Sequence, residues 1–390
     1  MTRRCSVLAL SFATAAVLGG CGGNESDTAG TSAPQQAAPA QQAPVATAAT
    51  AANTSLQNTN AADCTAEQGL DYICGIVNGE DILRVSTPWL LVSGMNGDLG
   101  GDTSIDGKLH LVNPEDRSWE VLFPGDSPVL EHDTEMFASC PGPLDVDNFS
   151  AHGLALKAVG GQAEQYWLYM TSHGAREAIE VFVIDAITAK PTIKWVGCVP
   201  MPDTSWTNSL VILKDGGFRA TQFMDPTGSG MEGVIAKEIT GHVFEWHPGG
   251  DVTVIAGTEL SGPNGIAMSD DERYIYVAAF GTQEVVRFDL GVTPIVKDSI
   301  AVGIAPDNVR WSSSGTLYTA GGNITEGCGG PDCGAGWSVW EIDPMQLTAQ
   351  QIVAAPDGVA LQGVSTALDV GDEIWVGTYG GDRIAIVPKP

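Results

Sequence analysis

Asn264, Gly265, Ile266, Ala267 and Met268, the turn from Ser269 to Glu272, the strand Tyr274, Ile275, Tyr276 and Val277, and the run from Glu284 to Leu290 make the clearest copy of a pattern that recurs along this chain. A polar residue opens an apolar strand, a tight turn follows, then a second strand rich in aromatics, then a third. Short apolar runs bounded by Gly, Asn, Asp and Ser read as β-strands. Further copies open at Glu80, His152, Asn208 and Asn308, and a sixth begins near Ser365 and passes through Ile374, Trp375 and Val376 into Arg383 to Val387. From Glu80 to Ser365 the successive openings lie 72, 56, 56, 44 and 57 residues apart. A four-stranded propeller blade with its loops needs roughly 40 to 50. The expected fold is therefore all-β, a six-bladed β-propeller. In a β-sandwich the same polar residues would be unrelated turn positions.

A radial arrangement sets each blade's innermost strand along one central channel, so the polar opening residues converge on a common axis. Glu80, Asn208, Asn264, Asp307 and Asn308 then offer only oxygen donors, two of them anionic. Such a set suits calcium, which takes six to eight oxygens, whereas zinc or copper would want His or Cys. Taken singly, an Asn before a Gly makes a turn; repeated at one place in successive blades, these residues read as ligands. Neighbours in a regular strand point to opposite faces. Asp307 and Asn308 can share a metal only where the backbone is irregular, and Pro306 supplies a reason for that.

Outside the repeats, the chain reads as an exported protein. Arg3 and Arg4 precede an apolar stretch from Val7 to Leu18 that ends in Leu18, Gly19, Gly20 and Cys21. That is the order of a signal peptide, and the run is too short to span a bilayer as a mature helix. Leu18 to Cys21 resembles a bacterial lipobox, which implies a lipid-modified Cys21 and attachment to a membrane of the cell envelope through that anchor. Residues 21–62 are nearly all Ala, Gln, Thr, Pro, Gly, Asn and Ser, unable to bury enough apolar surface to offset their ordering entropy, so they are expected to be a flexible tether. The division is thus a signal peptide over 1–20, a lipidated linker over 21–62 and the propeller over 63–390. Net charge is -29; such a surface repels nucleic acid. Removing Cys5 with the signal and Cys21 to the lipid leaves Cys64, Cys74, Cys140, Cys198, Cys328 and Cys333. Six cysteines in an oxidising compartment suggest disulfides, with 15 connectivities open. Spacing favours Cys64 with Cys74 and Cys328 with Cys333, each closing a short loop, which leaves Cys140 with Cys198.

Several segments resemble the paraoxonases, and more broadly the gluconolactonase propellers, in the same order along the chain. They are Gly79 to Ile82, His152 to Leu154, Ser172 and His173 through Glu180 to Phe182, the Asn208 segment, Pro263 to Ile266, and Asp307 to Val309. The similarity covers most of residues 74–385. It implies that Glu80, Asn208, Asn264, Asn308 and Asp307 hold a catalytic calcium and that His152 and His173 are the family's paired histidines. The family's second, structural calcium would fall on Asp81, the Leu154 carbonyl and Ser209. Ser209 stands where the family has an Asp, and the missing charge sets that site in question. The family's cysteine near the C-terminus is also missing here.

The resulting expectation is a calcium-dependent hydrolase of lactones or esters, acting as a monomer on a small molecule. Calcium would polarise the carbonyl and His152, oriented by His173, would take a proton from water. Asp307 is the rival base or nucleophile. Sugar lactonase is a second enzymatic reading, and a calcium-stabilised propeller that binds a protein or polysaccharide is the reading from outside enzymology. His110, His132, His242 and His247 match no motif.

Overall fold

The structure, a computed structural model, describes residues 64–66, 69–86, 88–97, 106–323, 336–355, 361 and 363–390. The signal peptide, the linker with Cys21, and the Cys328 and Cys333 pair lie outside the described residues.

Six four-stranded antiparallel sheets make up the fold. Blade 1 runs through Gly79–Arg84, Leu90–Gly94, Lys108–Val112 and Trp119–Phe123; blade 2 through Ala151–Ala158, Gln165–Ser172, Ala178–Asp185 and Thr192–Pro200. Blades 3, 4 and 5 begin at Trp206–Ile212, Pro263–Met268 and Val309–Trp311. Blade 6 takes Val364–Val370, Glu373–Thr378 and Arg383–Pro388 from the C-terminal end and Asp71–Cys74 from the N-terminal side. That last strand pairs antiparallel with Arg383–Pro388, Tyr72 opposite Ala385, so the ring closes by joining the two ends of the propeller. Helix is confined to Gly230–Ile235 and a single 3-10 turn, Val146–Asn148, among the described residues.

Each expected repeat coincides with one blade, and its opening strand is the one that meets its counterparts in neighbouring blades. The fourth strand of each blade was implied by the repeat length but not located in the sequence. Val296–Ala301, for instance, is exposed along almost its whole length, so it carries no apolar alternation to reveal it. Blades are held together by large side chains buried between sheets. Phe123 sits edge-on to both Phe149 and Phe182, with ring centroids 5.0 Å apart in each pair, and Tyr169 of blade 2 meets Phe218 of blade 3 edge-on. Burying one such side chain contributes about 1.5–3 kcal/mol. Two disulfides join Cys64 to Cys74 and Cys140 to Cys198, with Cα atoms 5.8 Å and 5.0 Å apart, as the spacing favoured.

What positions the channel residues is a shared irregularity. The pairing of the first two strands shifts register between Gly79 and Ile82, Ala151 and Leu154, Thr207 and Leu210, and Pro263 and Ile266. Each interval contains the polar opening residue and its successor. A bulge re-aims side chains and ends regular pairing. The backbone groups it frees turn to the next blade. The Asn208 carbonyl accepts from Thr171 Oγ1 at 2.8 Å, the Gly265 amide donates to the Asp307 carbonyl at 3.0 Å, and the Asn308 amide donates to the Ser365 carbonyl at 2.8 Å. Ser365 Oγ donates to the Glu80 carbonyl at 2.6 Å. A Cβ on Gly153 would overlap the Asn208 backbone, and one on Gly265 the backbone of Asp307 and Asn308. Glycine follows the channel residue because the next strand passes where a side chain would be.

Candidate functional site

Glu80, Asn208, Asn264, Asp307 and Asn308 are all buried, none more than 5% exposed. Glu80, Asn208 and Asn264 stand at the bulges, and Asp307 and Asn308 in the irregular segment before the strand that begins at Val309. The residues meet. Asn308 Nδ2 donates to Glu80 Oε1 at 2.6 Å, and Asn264 hydrogen-bonds the Asp307 side chain. Yet one oxygen of each of the five has no hydrogen-bond partner: Glu80 Oε2, Asn208 Oδ1, Asn264 Oδ1, Asp307 Oδ1 and Asn308 Oδ1. A buried acceptor left unmatched costs about 1–3 kcal/mol, more if charged. Burial pushes the Glu80 carboxyl up to about 7. Asp307 is raised well above the ordinary carboxylate range, first by burial and then by the Glu80 charge. Two buried carboxylates and three orphaned amide oxygens in one cluster match the donors a hard divalent cation takes from a protein. Such an ion would satisfy all five oxygens and reverse the electrostatic penalty.

Beside this cluster the second blade contributes His152, 5% exposed. Its Nε2 lies 3.6 Å from Glu80 Oε1 and 3.4 Å from Asn208 Nδ2, and its Nδ1 is 2.6 Å from His173 Nε2. His173 Nδ1 is 2.8 Å from Glu177 Oε2. The tautomers follow from the far end of this chain. A carboxylate accepts, so His173 Nδ1 donates to Glu177, and in the matching tautomer its Nε2 accepts from His152 Nδ1. His152 Nε2 is left as a lone pair directed at the oxygen cluster. Burial, and then the neighbouring His173, hold His152 well below the usual imidazole range, which keeps that lone pair free at neutral pH.

Glu177 was not foreseen. Its other oxygen accepts from the Thr207 amide at 2.7 Å, one residue before Asn208, so one carboxylate ties the histidines to the strand that carries a cluster oxygen. Trp206 packs on the His173 ring at 5.0 Å between centroids. Tyr379 is a further unforeseen neighbour, its phenol held above the ordinary range by burial and then by Asp307. Arg310 was missed as well, although it lies only two residues after Asn308, in the strand that begins at Val309. A cavity of about 230 Å³, lined in part by Leu144, Phe149, Ser172, Ala175 and Arg176, lies against the strand end that leads into His173. The other histidines sit elsewhere: His110 is buried edge-on to Trp119, and His247 pairs with Asp215 on the surface.

No protein-family model matches the chain, and no curated protein matches it in sequence. Solved structures do. A gluconolactonase from Xanthomonas campestris superimposes with a TM-score of 0.50 at 18% identity, over 82% of this chain and 89% of that one. A luciferin-regenerating enzyme superimposes with a TM-score of 0.48 at 14% identity, over 81% and 92%. At such identity, the likeness to the gluconolactonase is one of fold.

Proposed function

We propose that this chain is a calcium-dependent hydrolase of lactones or esters. The observation that carries the reading is the set of five buried oxygens of Glu80, Asn208, Asn264, Asp307 and Asn308 left without hydrogen-bond partners, with His152 Nε2 3.6 Å from Glu80 Oε1. Those five residues would hold calcium, which when bound supplies a positive charge to polarise a carbonyl and steady the oxyanion formed on it. The protein's own part is proton transfer and placement. His152 takes a proton from water at Nε2; the positive charge that develops is shared through His173 to the Glu177 carboxylate, which need not itself be protonated. Return of the proton from Nε2 to the leaving oxygen completes the cycle. Burial of the dyad excludes bulk water, which strengthens each of these interactions.

The fold shared with a gluconolactonase is consistent with lactone substrates, and sugar lactones belong among those tried. Export as a Cys21-lipidated envelope protein is supported by the Leu18 to Cys21 motif and by the Cys64–Cys74 and Cys140–Cys198 disulfides, which persist in an oxidising compartment. The test is hydrolysis by the purified protein, with and without calcium, of aryl esters, aliphatic lactones, sugar lactones and phosphotriesters. Calcium-dependent turnover of an ester or lactone is expected. Calcium bound with no turnover of any of them would instead assign the chain to the binding propellers.

A further inference from the structure

One residue below the Glu80 cluster, the channel holds a second buried carboxylate with a different solution. Asp81 is fully buried, and all its bonding capacity is used. Oδ1 accepts from the Ile82 amide at 2.9 Å and from Arg310 Nε at 2.9 Å; Oδ2 accepts from the Leu154 amide at 2.8 Å and from Arg310 Nη2. Arg310 Nη2 also donates to the Leu154 carbonyl at 3.0 Å. These acceptors, the Asp81 carboxylate and the Leu154 carbonyl, are two of the three places where the resemblance would put a second calcium. The third, Ser209, brings an uncharged hydroxyl. The residues do not fit that ion, because a guanidinium already engages their oxygens. Its planar fork matches the carboxylate in two parallel bonds and its charge is permanent. A divalent ion added at this level would meet that positive charge at contact distance.

We propose that Arg310 is a built-in cation that replaces a second divalent ion in the channel, so that the chain takes up one calcium and keeps blades 1, 2 and 5 tied at this level when that ion is removed. Asp81, Leu154 and Arg310 belong to those three blades, and the guanidinium bonds the first two from the third. A metal tie would come apart in chelator; this one is covalently part of the chain. The count of one rests on the calcium reading given above, whereas the exclusion at Asp81 stands on the Arg310 contacts alone.

Calcium stoichiometry of the decalcified full-length protein, measured by native mass spectrometry across a calcium titration, tests this. One ion per chain is expected, and two in the Ser209→Asp, Arg310→Ser double variant, which restores the missing charge and clears the guanidinium. Arg310→Met alone should leave Asp81 buried without its counterion, lowering the melting temperature by about 5–8 °C in chelator, and Arg310→Lys should recover part of that. Two ions in the wild type, or a double variant that binds no more than the wild type, would overturn the proposal, and the first of these needs no variant to fold. No ion in the wild type with one in the double variant would uphold the exclusion at Asp81 and sink the calcium reading of the Glu80 cluster.

Discussion

His152 Nε2 has its lone pair because Glu177, two bonds away, can only accept. The direction of both hydrogen bonds follows from one carboxylate, and two substitutions separate the roles. Replacing His152 by Gln removes the proposed base and should cost about 10² to 10⁴ in kcat. Glu177→Leu leaves both rings in place but removes the charge that steadies the imidazolium. The pKa of the dyad should then fall and the acid limb of the pH–rate profile move to lower pH, with kcat down about 10- to 100-fold; a merely structural Glu177 would lower the yield of folded protein and leave the profile where it was. Asn264→Ala or Asp307→Ala should abolish both calcium binding and turnover, read by calorimetry and by assay. If His152→Gln kept its full rate while Asp307→Asn had none, the base would be Asp307. Whereas His173, just past the second strand of blade 2, came only from the family resemblance, the five oxygen donors and His152 were legible in the sequence because each sits at or next to the opening of a repeat. Glu177 was not: it lies in a loop, four residues past His173, and its partners Thr207 and His173 come together only through the packing of blades 2 and 3. Arg310 carried a signal that the charge argument overlooked, a cation two positions after a channel residue.

Among the elements, the bulged inner strand does most to turn a repeat into a site. A regular strand would send Glu80 and Asp81 to opposite faces of its sheet; the register shift between Gly79 and Ile82 lets both be buried in the channel, one toward the oxygen cluster and one toward Arg310. The same holds for His152, Asn208 and Asn264, each followed by a small residue, Gly153, Ser209 or Gly265. A Cβ on Gly265 would overlap the backbone of Asp307 and Asn308, so Gly265→Ala should force the two ligands of blade 5 outward. Overpacking of this kind costs about 1–3 kcal/mol. The expected result is a lower melting temperature together with weakened calcium affinity in calorimetry, although no ligand has been altered; unchanged affinity would mean that the inner strands adjust independently of one another. Pro306 and the adjacent acidic and amide residues announced the irregular entry to blade 5, but bulges elsewhere leave no mark in composition. Outer strands were illegible for want of a period. Val296–Ala301 is exposed along nearly its whole length and has no buried side to impose one, whereas Thr192–Pro200 is buried through most of its length and alternates no better.

For the whole molecule, the question is what holds a ring of six sheets closed. The strand Asp71–Cys74 completes blade 6, with Ile73 buried against the side chains of that blade, and the Cys64–Cys74 bridge pins the segment before it. This closure joins residues some three hundred positions apart, and nothing local in four residues predicts it. At the axis, a second kind of closure is expected, because the five candidate ligands come from blades 1, 3, 4 and 5 and no single blade can satisfy them. An ion bound only by the folded ring adds RT ln(1 + [L]/Kd), about 2.7 kcal/mol at a hundredfold excess over Kd. With an unfolding entropy near 2.1 cal/mol/K per residue over roughly 320 residues, that is a rise of about 4 °C in melting temperature. Because an ion held by these residues would join blades, calorimetry in excess chelator should show the entire unfolding transition displaced downward and still single. A separate low-temperature transition would mean that the ion serves one blade, and an unshifted curve with no metal by elemental analysis would remove the cation from the site. The Arg310 tie to Asp81 and Leu154 sets the limit of the effect: with that cation built into the chain, chelation should lower the stability of the ring without opening it.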